Sequence, residues 1–88
     1  MDVKDINNWE LNVIENATNY SVWIYGGYSP RSMKQIPTFD EAFEYSKECL
    51  KNDERLRSCI IYAVNENKNH AMVGYYHRET GWVPVERN

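Results

Sequence analysis

The chain is poor in cysteine, glycine, proline and long apolar runs, and positive charge is not in excess. Its two cysteines, Cys49 and Cys59, are too few for the disulfide framework that staples small secreted domains. Each falls in an apolar pattern, so both read as reduced core thiols. They also fail as zinc ligands alongside His70 and His77. Nine, ten and six residues separate the four in turn, whereas zinc ligands usually include pairs roughly two to four residues apart. No metal and no cofactor is expected.

No apolar run approaches the ~20 residues that a membrane helix needs, so no membrane contact is expected. The opening "MDVKDINNWE" carries acids rather than a leader's apolar stretch, and a cytoplasmic protein is the reading. In that compartment the sequon Asn16-Ala17-Thr18 has no consequence. A net charge of −3 argues against general nucleic-acid binding, which normally comes with a basic domain.

What is abundant is aromatic residues: three Trp, seven Tyr and two Phe among 88 residues. That exceeds the needs of one small core, and Tyr favours places where one end stays wet. The length admits one domain, residues 1–88, with a thin stability margin. The apolar and charged fractions, 42% and 26%, are those of a folded chain rather than a disordered one.

The clearest element is a helix beginning at Thr38. Thr38 and Glu41 form a capping box behind Pro37, and Phe39, Ala42, Phe43, Ser46, Cys49 and Leu50 recur at helical spacing. Acids lead and Lys47 and Lys51 follow, as the helix dipole favours, with fraying expected near Asn52-Asp53. "SCIIYAVN" reads as a strand apolar on both faces, hence central. "ENKN" is a loop, "HAMVGYYHR" a returning strand, and "ETG" a turn with Gly81 at positive φ. "WVPV" follows as a short strand that Pro84 confines to an edge. Before the helix, Trp9, Leu11 and Val13 alternate with polar residues as in a strand, although Val3, Ile6 and Trp9 could instead begin a short helix. Tyr20 to Tyr25 forms the next strand. The expected fold is α+β: an antiparallel sheet of four to five strands in the order ββαβββ, with one amphipathic helix on one face. The sheet face opposite that helix then needs cover, from the N-terminal segment 1–16 or from a partner, of which a homodimer is the simplest.

The stretch "VWIYGGYSPRSMKQIPTF" raises the prospect of a ligand loop. Gly26-Gly27 lacks the Gly-Lys that completes a phosphate loop and the third glycine of a dinucleotide fold. It reads instead as a connector from strand to helix cap, or as a binding loop using Tyr28, Arg31 and Lys34. His70 and His77 stand in no known catalytic signature, so a small enzyme subunit is only a second alternative. "VGYYHRETGW" sets aromatics beside cations in the manner of sheet-faced RNA binders, but without an RRM octapeptide. In general look (short, acidic, rich in aromatics, without catalytic signatures) the chain is similar to small accessory proteins of bacteriophages, many of which bind and inhibit a host protein. That likeness implies an inhibitor or regulator. The expectation is a non-catalytic protein-binding module, with single-stranded RNA binding as the alternative. The expected contact surface is Trp23, Tyr25, Tyr28, Arg31, Lys34, Tyr76, His77 and Arg78, because Tyr, Trp and Arg dominate interface energetics.

Overall fold

Thr38 does open a helix. Its Oγ1 accepts from the Glu41 amide at 3.2 Å and donates to the Glu41 carboxylate at 3.1 Å, so one cap residue engages both the orphan amide and the side chain of the third helical position. In the computed structural model, which describes residues 3–87 with side chains from residue 6, this helix is α2, Phe39–Asn52. It follows α1 (Val3–Glu15), β1 (Asn19–Tyr25) and β2 (Pro30–Ile36), and precedes β3 (Ser58–Val64), β4 (His70–His77) and β5 (Gly81–Pro84). The strands form one antiparallel sheet in the order β2-β1-β3-β4-β5. The fold is α+β as read, β3 is the central strand, and β5 with Pro84 lies at an edge. Gly81 holds φ +79 in the turn before it.

Two elements differ from the reading. The segment around Trp9, Leu11 and Val13 is helical, as the alternative had it, so the described residues form two helices rather than one. Five residues of alternation suit a strand, but Ile6, Trp9 and Val13 also recur at helical spacing, and only Val13 (1% exposed) needs the interior, whereas Ile6, Trp9 and Leu11 stay 43%, 50% and 42% exposed. Met1 and Asp2 of the 1–16 segment lie outside the described residues. The second difference is β2, which occupies the expected connector. As an edge strand it buries only Ile36, so its sequence has no apolar alternation from which to read it. The register shift between Ile24 and Tyr25 lets it close on β1, as bulges often do at sheet edges.

Register assigns the two faces. Ile24 pairs with Cys59, Val22 with Ile61 and Tyr20 with Ala63, and paired residues share a face. Val22, Ile24, Cys59 and Ile61 join Ala42 and Leu50 of α2 in the core, so this is the α2 face. Burying each large aliphatic side chain there contributes about 1.5–3 kcal/mol. Gly74 opposes Ile61 and is bare for a reason. A Cβ would stand 2.6 Å from the Val83 carbonyl oxygen and 2.7 Å from the Trp82 indole. The indole therefore lies over Gly74 and meets Phe39 and Phe43 edge-on at 5.7 and 5.4 Å.

α1 makes its contacts with β4 and β3. Glu10 is held 3.0 Å from the Arg87 guanidinium, which also donates to the Met72 carbonyl, and this ties helix, strand and chain end together.

Candidate aromatic binding cleft

The face opposite α2 receives the alternate residues of each strand: Ser21, Trp23 and Tyr25 from β1, Ile60 and Tyr62 from β3, and His70, Met72 and Tyr75 from β4. Two small facts of register make a cleft there. Tyr62 pairs with Ser21 rather than with another large residue, so its ring can lean toward Trp23. The ring centroids are 6.3 Å apart with planes at 74°. On the far side Tyr62 meets the His70 ring at 6.3 Å and 70°. Trp23, Tyr25, Tyr62 and His70 thereby line an open cleft of about 250 Å³. α1 packs on β4 and β3, so the N-terminal segment supplies part of the cover expected for this face and Ser21 is fully buried, while Trp23 and Tyr25 stay partly exposed.

The loop before β4 sets His70. Asn65 Oδ1 accepts from the amides of Asn67 and Asn69 at 3.0 and 2.9 Å, and Lys68 takes φ 66. The His70 ring then lies 3.0 Å, through Nδ1, from the Lys68 carbonyl oxygen. A carbonyl only accepts, so Nδ1 carries the proton and Nε2 is the remaining ring nitrogen. Burial pushes the Tyr62 hydroxyl pKa above its ordinary value, and the neighbouring Tyr25 adds to the shift, so the phenol stays neutral at physiological pH. Two donors on this face are buried without partners, Trp23 Nε1 and Ser21 Oγ. Each such group costs about 1–3 kcal/mol.

The eight expected contact residues do not come together. Trp23 and Tyr25 line the cleft, and His77 lies on the same face, separated from Tyr25 by Ser58. Its Nδ1 accepts from the Glu79 amide at 3.1 Å. Tyr28 is fully exposed between β1 and β2. Arg31 lies across Gly26, where a Cβ would sit 2.2 Å from its Nε. Lys34 is on the other side of the sheet, with Nζ 5.1 Å from the Tyr45 ring centroid on α2. Tyr76 packs into the core against Phe43. Arg78 serves the fold: its guanidinium donates to the carbonyls of Leu56, Leu50 and Asp53 at the end of α2. Tyr62 and His70 are the cleft residues that sequence reasoning missed. The spacing puts Ile60 and Tyr62 on one face of a strand apolar on both, but does not say which face carries α2.

Neither histidine is hydrogen-bonded to a carboxylate or to a nucleophile among the described residues, and no three His, Cys, Asp or Glu side chains there are grouped to hold a metal. Cys59 is fully buried and Cys49 half-buried, both free. Burial, then the neighbouring Cys49, pushes the Cys59 thiol up to about 11, against a smaller opposing hydrogen bond to Ser46. It is therefore protonated and a poor nucleophile near neutral pH. No described helix is long and apolar enough to cross a membrane. Comparison of the chain with protein-family models, with curated proteins and with solved structures finds no match.

Proposed function

We propose that the chain is a non-catalytic protein-binding module, acting as an inhibitor or regulator, whose contact surface is the open face around Trp23, Tyr25, Tyr62 and His70. The observation that carries this reading is the cleft itself. Aromatic rings that a domain of this size could have used in its core are held apart at its surface, with half-exposed Met33 beside Trp23 across the β1–β2 pair. Trp and Tyr in such positions are typical binding anchors.

Single-stranded RNA is the weaker reading, because the paired strand residues on this face include no Lys or Arg. A sheet that stacks bases also needs cations to follow the phosphates. The test is affinity capture with the full chain from native lysate, with and without nuclease, beside Trp23→Ala and Tyr62→Ala variants of verified fold. A protein partner retained after nuclease and lost with both variants supports the module. Recovery of nucleic acid, with capture abolished by nuclease or by moderate salt, overturns it, and so does capture unchanged by the variants.

A further inference from the structure

The geometry points to the ligand that the cleft accepts: the trimethylated ammonium of a lysine side chain on a partner protein. This rests on the open face being the contact surface, and it adds the chemistry of the group that enters. A cavity of about 250 Å³ falls just below the ~300–1,000 Å³ range of small-molecule sites, so it takes a side chain or headgroup rather than a nucleotide. Its walls are four rings with no carboxylate and no strand-borne Lys or Arg, and Trp23–Tyr62 and Tyr62–His70 stand at 74° and 70° to each other. Steeply crossed rings cannot all stack on one flat base. They can surround a compact group, and the faces of Trp and Tyr attract cations, Trp most strongly.

Electrostatics favours the same sign. The chain carries a net −3, and neither Lys nor Arg lines the cleft. Next to the cleft, across His70, a second groove is lined by Asn19, Gln35, Glu66 and Lys68. Its charges offset one another, and the side chains of Asn19 and Gln35 there are neutral. A choline lipid has the same headgroup cation but carries a phosphate beside it. The one lysine lining the adjoining groove, Lys68, shares it with Glu66, so a phosphate there meets no net positive charge and a protein-borne ammonium fits better. Trimethylation matters because a primary ammonium holds its water more tightly and surrenders it at greater cost.

The test uses the intact wild-type chain and follows the Trp23 indole N–H by NMR, assigned through Trp23→Phe. Choline is titrated against its neutral isostere 3,3-dimethylbutan-1-ol. A second set compares a short peptide bearing one trimethyl-lysine, the same peptide with unmodified lysine, and phosphatidylcholine vesicles. Choline should bind about tenfold more tightly than the alcohol, the ratio that cation–π attraction from several ring faces supplies at a partly open site. The trimethyl-lysine peptide should exceed the unmodified one, and vesicles should leave the signal unmoved. Tyr62→Phe should retain binding and Tyr62→Leu should lose it. Equal binding of choline and the alcohol overturns the ammonium assignment while leaving the contact-surface reading standing. Vesicle binding in preference to the peptide overturns the protein source. No shift with any probe overturns the assignment, whereas failure of the module itself would appear as capture unaffected by Trp23→Ala.

Discussion

Arg78 was the cation that the sequence set beside two tyrosines on a strand, and its position makes a sharp test of the fold. Its Nε donates to the Leu56 carbonyl at 2.9 Å, and its second terminal nitrogen to the carbonyls of Leu50 and Asp53 at 2.5 and 2.7 Å. These acceptors cluster where α2 ends and the chain turns into β3. A helix leaves its last carbonyls without intrahelical partners, and a cation there also meets the negative end of the helix dipole. Arg78 Nε and one terminal nitrogen thus reach three carbonyls, of which Asp53's also accepts from the Leu56 amide at 3.1 Å. The Arg78 amide meanwhile donates to the Arg57 carbonyl at 3.0 Å, which fixes the backbone from which the side chain reaches.

Replacing Arg78 with Met preserves much of the stem and removes all three bonds. Hydrogen bonds to charged groups are worth about 1.5–3 kcal/mol each but do not add when they share one group, and part of this site is wet. A loss of about 3 kcal/mol is expected, or roughly 12–24 °C in Tm for a domain of this size. Arg78→Lys keeps the charge but not the fork, and should recover about a third of that loss. Urea unfolding followed by far-UV circular dichroism measures both. A loss under ~0.5 kcal/mol for Arg78→Met, with Arg78→Lys indistinguishable from wild type, would refute the capping role and return Arg78 to the list of free surface cations.

Three further outcomes follow from the same packing. Gly74→Ala should cost about 3 kcal/mol, because the new methyl meets the Val83 carbonyl oxygen and the Trp82 ring; a loss below 1 kcal/mol in urea unfolding would show that the Trp82 indole does not lie there. Thr38→Ala should cost about 1 kcal/mol, and Thr38→Ser should restore most of it, whereas equal stability of all three proteins would dismiss the cap. The Cys59 thiol has its folded pKa raised to about 11, so its stabilising term is complete below the unfolded pKa near 9 and is lost as pH rises to 11. That loss is roughly 2 kcal/mol, and Cys59→Ala should flatten the stability–pH slope in that window; an unchanged slope, or reaction of Cys59 with a thiol reagent at pH 8 as fast as Cys49, contradicts the burial argument.

The strongest local signals were legible in the sequence because each has its own chemistry: the Thr38–Glu41 cap, the doubly apolar run at Ile60 and Ile61, the Gly81 turn and Pro84 at an edge. β2 was not, because Arg31, Ser32, Lys34 and Gln35 carry no record of a core that they do not enter. The α1 segment admits two readings, since a few apolar residues can satisfy a period of 2 or of 3.6. The site was half legible. Trp23 and Tyr25 announced themselves, but composition alone could not separate Tyr62, which leans into the cleft, from Tyr76, which packs on Phe43. Only register distinguishes them. The bulge between Ile61 and Tyr62 brings both Val73 and Gly74 opposite that junction and leaves Met72 to face Tyr62, an offset that no single-strand pattern encodes.

That division bears on why the open face exists at all. On the α2 side, Tyr20, Phe39, Phe43, Tyr76 and Trp82 form one connected chain of edge-on ring contacts, and Trp82 is given room by a glycine. The opposite face has comparable material, yet the small, fully buried Ser21 stands opposite Tyr62, and the Ser21 hydroxyl and the Trp23 indole N–H lack partners. A domain of 88 residues has only about 5–10 kcal/mol of net stability. Two unpaired donors at about 1–3 kcal/mol each are a large fraction of that. Replacing Ser21 with an aliphatic residue removes one of the two unpaired groups and should stabilise the free protein, and the added carbon should abolish ligand entry by pushing Tyr62, which it faces, away from Trp23. Ser21→Val is the simplest such variant. A gain in Tm together with loss of the Trp23 indole response to choline is the expected pair of results. A gain in Tm with the response intact would mean that the arrangement of the rings does not depend on Ser21, and a loss of both would mean that Ser21 supports the fold through a contact its small, buried side chain does not reveal.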